Sequence, residues 1–106
     1  MKRPSQKHLV AVDAESVLGS GYNIGYYSGY RDPFTRDQSP MAEYANNTRV
    51  EKVASDDPTD LNPAGALGTV LGSIGKEGLG VAYFVEWDSA PRRAVLVMAA
   101  KLKRHG

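Results

Sequence analysis

Few residues of this chain are of types that do covalent or metal chemistry, and their spacing argues against it. There is no cysteine, so neither a thiolate nucleophile nor a Cys-built zinc site is available. The two histidines, His8 and His105, lie near opposite ends of the sequence, and a shared metal is not expected. Asp56, Asp57 and Asp60 are oxygen ligands of the kind hard cations take, but the twelve-residue calcium-loop pattern with its terminal Glu is absent. A solvated loop with Asp capping turns is the expectation there. Glu86 and Asp88 share one face of a strand, whereas acid–base work needs two carboxylates whose pocket drives their proton affinities apart. On an outward face they keep the strand soluble. Gly19, Gly21 and Gly25 miss the dinucleotide-loop spacing by one residue, and no strand–helix unit surrounds them. Gly72-Ser73-Ile74-Gly75-Lys76 lacks the upstream glycine of a phosphate loop and leads into a strand. Both read as turn glycines. No catalytic residue, metal or cofactor is expected.

Residues suited to binding are more plentiful. Tyr22, Tyr26, Tyr27 and Tyr30 crowd into a stretch punctuated by Gly, Pro and Asp, with Phe34 following. A flexible tail seldom carries so many aromatics. The rings therefore either pack onto the remainder of the chain as an ordered extension or form an adhesive arm for another subunit or ligand. From Arg92 to Gly106 there are five basic residues and no acid: Arg92, Arg93, Lys101, Lys103 and Arg104. With aromatic rings to stack on bases, they are candidates for a nucleic-acid contact. The formal net charge of the whole chain is only +1, which makes no such case by itself.

The elements that must position these residues are short. A length of 106 residues, 42% hydrophobic and 24% charged, suits one globular domain. Its clearest period runs from Leu67 to Leu102, three apolar runs separated by turn-rich connections, the pattern of an antiparallel meander. Gly68–Leu71 reads as a strand and Gly72–Gly80 as a glycine-rich loop. Val81–Asp88 is the strongest strand, with Val81, Tyr83, Val85 and Trp87 inward and Phe84 outward beside Glu86. Ala94–Met98 follows, with Val95 and Val97 inward and Leu96 and Met98 outward. Ala99–Leu102 reads as a 3₁₀ turn that returns Leu102 over the end of the fold. Upstream, Thr48–Val53 is a strand with Val50 inward, and Asn46-Asn47 a turn. Ser39 caps a helical turn that has Pro40 at its first position. Residues 54–66 form a long loop pinned by Leu61, and Asp13 caps a single turn closed by Gly19. The expected organisation is an irregular Tyr/Gly-rich extension over residues 1–46 and a small β-barrel over 47–106.

The order of these pieces resembles an SH3-like barrel of the kind found in KOW-type and nitrile-hydratase-β-like modules. Gly68-Thr69-Val70, Tyr83-x-Val85-x-Trp87-Asp88, and Val95-x-Val97 leading to Leu102 carry the resemblance, which spans residues 47–103. It implies a mainly β fold and speaks less to function. The same barrel occurs in plasmid-borne, trimethoprim-resistant type II dihydrofolate reductases, which assemble as tetramers around one pore. Their active site uses a Val-Gln-Ile-Tyr run, where this chain has Val95-Leu96-Val97-Met98. The groups that bond nicotinamide and pterin are therefore missing here, and what the resemblance implies is the oligomeric habit.

Outward Phe84, Leu96 and Met98 make an apolar patch that needs a cover, either the tyrosine segment or a second subunit. The expectation is a non-enzymatic, self-associating binding module for a protein or small molecule. A KOW-like nucleic-acid binder and a reductase-like oligomer are the alternatives. The run Leu9–Val12 is too short for a signal-peptide core or a membrane span, so a cytoplasmic protein with no membrane partner is expected.

Overall fold

Alternating apolar residues need cover on each face they occupy, and here both faces of one sheet are covered. The computed structural model describes residues 22–53, 63–76, 78 and 80–106. The expected Asp13–Gly19 turn, the Leu9–Val12 run, the Leu61 anchor and the Asp56/Asp57/Asp60 cluster lie outside them. The chain is mainly β. Two short strands, β1 (Gly25–Tyr26) and β2 (Pro33–Phe34), pair with each other. A second, five-stranded antiparallel sheet holds β3 (Arg49–Lys52), β4 (Leu67–Lys76), β5 (Gly80–Trp87), β6 (Val95–Met98) and β7 (Leu102–Arg104). Their order is β6-β5-β4-β3-β7, so β6 and β7 are the edges, joined by a 3₁₀ turn over Ala99–Lys101. No helix among the described residues is long and apolar enough to cross a membrane.

The first face carries the expected core. Val50, Val70, Tyr83, Val85, Trp87, Val97 and Leu102 bury together, and Tyr44 closes the group from the turn ahead of β3. Tyr44 is held by two bonds. Its backbone N–H donates to the Tyr83 hydroxyl at 3.2 Å, and its own hydroxyl donates to the Leu102 carbonyl at 3.4 Å. Val95 departs from expectation: it is 36% exposed. It pairs with Val85, but it opens an edge strand, where no further strand covers its flank.

The second face is where the sequence reading needs most correction. β4 does not stop at Leu71; it continues to Lys76 and pairs with β5 as far as Lys76 opposite Gly80. A bulge between Val70 and Gly72 shifts the register by one. Because side chains alternate, that extra residue moves Ile74 from the first face to the second, where it joins Leu71, Ala82, Phe84 and Ala94. Of the glycines from 72 to 80, Gly78 and Gly80 turn the chain at φ +86° each. Gly72 and Gly75 sit inside the strand, where glycine marks a close approach, by backbone at Gly72 and by the Ser39 and Met41 side chains at Gly75.

That approach is made by the tyrosine segment. β3 pairs with β4 only between Leu67 and Thr69, leaving the later part of that β4 edge open. Residues 35–39 wrap over this open edge. Ser73 N–H donates to the Asp37 carbonyl at 2.9 Å, and Ser39 N–H donates to the Ser73 hydroxyl at 2.9 Å. Ser39 Oγ in turn accepts from Met41 N–H, so it does cap, although the turn does not extend into a helix. A β-carbon on Gly72 would lie 1.9 Å from the Thr35 carbonyl oxygen, a contact that backbone cannot relieve by rotating a side chain. Gly72→Ala is therefore expected to destabilise the protein by about 3 kcal/mol, the upper end for overpacking. Urea unfolding checks this; a loss below about 1 kcal/mol would show that the segment yields easily.

Candidate functional site

The tyrosines sort by depth. Phe34 is fully buried against Phe84, with ring centroids 6.3 Å apart. Tyr27 tilts onto Phe34 at 4.5 Å and Tyr30 meets it edge-on at 4.9 Å, geometries that aromatic pairs favour. Tyr22 reaches the far end of β4, where its hydroxyl bonds Gly75. Tyr26 stays half-exposed on β1. Of the two readings open for this segment, residues 22–39 fit the ordered extension. Phe84 occupies the second face, as alternation requires, but is only 4% exposed because the segment covers it. It is not an outward contact residue.

Leu96 and Met98 remain outside. They are 39% and 42% exposed, on the same face and the same edge strand. Together with Val95 they make β6 an apolar edge whose four residues carry no charge. The other edge, β7, presents Lys103 and Arg104.

The five basic candidates do not form one face. Arg92 and Arg93 lie in the turn before β6, and Lys101, Lys103 and Arg104 follow it. Four of them are engaged within the chain. Arg93 grips Asp32 through Nε at 2.8 Å and Nη2 at 3.0 Å, and the same carboxylate accepts from Ala94 N–H. Arg92 lies over the Tyr30 ring, Arg104 over the Tyr44 ring, and Lys103 stands 3.9 Å from Glu51.

One arrangement had no local signal in the sequence. A cleft of about 440 Å³ opens where the tyrosine segment meets β4 and β5, lined by Tyr30, Arg36, Asn47, Thr69, Glu86 and Trp87 among others. Tyr30 and Glu86 are 56 positions apart, yet the Tyr30 hydroxyl donates to Glu86 Oε1 at 2.6 Å. Arg92 N–H donates to Glu86 Oε2 at 2.9 Å. These two donors, the Arg92 amide first, hold the Glu86 carboxyl below its ordinary range, while the bond to Glu86 raises Tyr30 above its own. Asp88 is likewise lowered by the guanidinium of Arg49, which donates to both its oxygens. Among the described residues no group of three His, Asp or Glu is placed to hold a metal ion.

Protein families, curated proteins and solved structures yield no match to this chain.

Glu86 and Asp32, two of the carboxylates with depressed proton affinity, stabilise the fold above their ordinary values of 4.5 and 3.8. That stability is lost as pH falls from those values through the lower folded-state ones. Tyr30→Phe keeps the ring and removes one donor, and is expected to cost about 1 kcal/mol at neutral pH. The cost should shrink once Glu86 is protonated, below its ordinary 4.5. Urea unfolding of both proteins at pH 7 and in strong acid checks this, and an undiminished gap in acid would place the effect in packing.

Proposed function

We propose that the protein is a non-enzymatic binding module that associates with a second copy of itself, edge to edge, through β6. The observation that carries this reading is the contrast between the two sheet edges. Unpaired strand edges template pairing with other chains, and proteins commonly blunt them with charge. Lys103 and Arg104 do so on β7, whereas β6 offers Val95-Leu96-Val97-Met98 with no charge at all. The two exposed side chains also complement each other. In an antiparallel pair of β6 strands, residues directly opposite share a face, so the two-fold axis must pass through a residue. An axis at Val97 sets Leu96 against Met98 of the second copy twice over, covering both exposed groups. Ten strands would then run continuously through the dimer.

Nucleic-acid binding draws less support, since four of the five basic residues already have partners in the chain. The two readings differ in salt. An edge pairing through Leu96 and Met98 buries no charge, and Arg93 beside it is already neutralised by Asp32, so self-association should change little with salt, whereas phosphate contacts weaken steeply with it. Sedimentation at micromolar concentration is expected to show a dimer. Leu96→Lys and Met98→Lys should each raise its dissociation constant more than about tenfold, since each forfeits burial of an apolar side chain. A monomeric wild type, or dimers indifferent to both substitutions, would count against the proposal.

A further inference from the structure

The segment that covers the second face is not fastened to the sheet as the strands are fastened to one another. Neighbouring strands are joined by backbone ladders from β6 across to β7. Among the described residues, backbone bonds from residues 22–39 to the sheet and its β5–β6 turn are isolated ones. They run from Arg31 N–H to the Arg92 carbonyl and from Ser73 N–H to the Asp37 carbonyl. Two carboxylates reinforce them. Asp32, on the segment, accepts from Arg93 Nε and Nη2 and from Ala94 N–H just before β6. Glu86, on β5, accepts from the Tyr30 hydroxyl and from Arg92 N–H. Guanidinium groups stand on both sides of this seam: Arg31 and Arg36 on the segment, Arg92 and Arg93 on the turn. Arg92 lies over the Tyr30 ring at 5.9 Å, and Arg36 over the Tyr27 ring at 4.7 Å. Asp37, the segment's other carboxylate, accepts from Asn23 N–H within the segment itself.

Like charges are therefore held together across the seam by two anions. Protonating Asp32 and Glu86 removes those anions and leaves Arg31 and Arg36 facing Arg92 and Arg93. The other acidic links are placed differently. Arg49 and Asp88 join β3 to the end of β5, and Glu51 lies near Lys103 and His105 between β3 and β7. Those strands keep their ladder bonds when the carboxylates are neutral. We propose that residues 22–39 form an acid-released strap, which leaves the second face on acidification while the first core stays folded. Phe34 lies between the Asp32 clasp and the crossing at Ser73, so its withdrawal strips the crossing of apolar support. Release uncovers Leu71, Ile74, Phe84 and Ala94 beside the already exposed Leu96 and Met98. The direction follows from the charges. Closure is favoured above the ordinary carboxyl values of 4.5 and 3.8 and is lost as pH falls below them. The strap does not depend on pairing at β6.

Two amides of β4 distinguish release of the strap from unfolding of the whole. Ser73 N–H is bonded to the segment, whereas Val70 N–H is bonded to Thr48, just ahead of β3, at 3.0 Å. Trp87, the single tryptophan of the chain, is buried in the first core, and its fluorescence reports on that core. The full chain is taken from neutral pH to about pH 2 while amide exchange and Trp87 emission are followed. Protection of the Ser73 amide is expected to fall at least about tenfold before Val70 loses protection or the Trp87 emission shifts. Asp32→Asn should move the Ser73 transition to higher pH, and Glu51→Gln, on β3, should leave it in place. If Asp32→Asn fails to fold, Tyr30→Phe takes its place, with the same upward shift expected. Loss of protection at Ser73 and Val70 together, or a Ser73 amide protected throughout, overturns the proposal. A Ser73 transition that the folded seam variant does not move overturns it too.

Discussion

A backbone carbonyl lying on a glycine governs this structure. Thr35 can rest against β4 only because residue 72 has no side chain, and the bulge beside it turns Gly72 toward the incoming segment. Once residues 35–39 cross the open edge of β4, the Ser73–Asp37 and Ser39–Ser73 bonds replace the pairing that β3 no longer supplies. Buried backbone groups left unpaired are expensive, so this crossing satisfies the strand and anchors the segment in one step. Phe34 enters the second core beside it, and further back Asp32, Tyr30 and Tyr22 tie the segment to Arg93, Glu86 and Gly75.

The consequence is a sheet with two cores. A five-stranded sheet with a single covered face would expose Leu71, Ile74, Phe84 and Ala94 together as one contiguous apolar patch. Phe34, Tyr22, Tyr27 and Tyr30 cover it, and the three tyrosine hydroxyls still find partners at the rim. Tyr22 bonds the Gly75 backbone, and Tyr30 bonds Glu86. That choice of tyrosine over phenylalanine explains how an aromatic layer sits at the surface without leaving polar groups unpaired. It also builds the cleft, since Tyr30, Arg36 and Glu86 come from the cover and the sheet respectively.

Much of the first core was legible in the sequence. The period-two pattern of β5, the inward Val50 and Val97, the 3₁₀ turn and the return of Leu102 all follow from local alternation and turn chemistry. The second core was not. Gly72 and Gly75 look like loop residues to any local reading, because what crowds them lies far earlier in the chain: the Thr35 backbone at Gly72, the Ser39 and Met41 side chains at Gly75. Phe84 was placed on the correct face, but its cover came from the segment that alternation says nothing about. The cleft was invisible for the same reason: Tyr30–Glu86, Arg36 over Tyr27, and Arg49–Asp88 are pairings that only the crossing at Gly72 and the strand register bring together. Val95 failed differently, since alternation assigns a face but does not say that a strand lies at an edge.

Among the described residues the sheet ends at β7 with Lys103 and Arg104 and at β6 with an uncharged run whose Leu96 and Met98 are exposed, the edge at which we propose that a second copy pairs. Backbone hydrogen exchange resolved to single amides tests that pairing most directly. Raising the protein concentration across the association range should slow exchange of amides within Val95–Met98 and leave those of Leu102–Arg104 unchanged. Exchange in β6 that is independent of concentration, or protection that appears in β7 instead, would contradict the account.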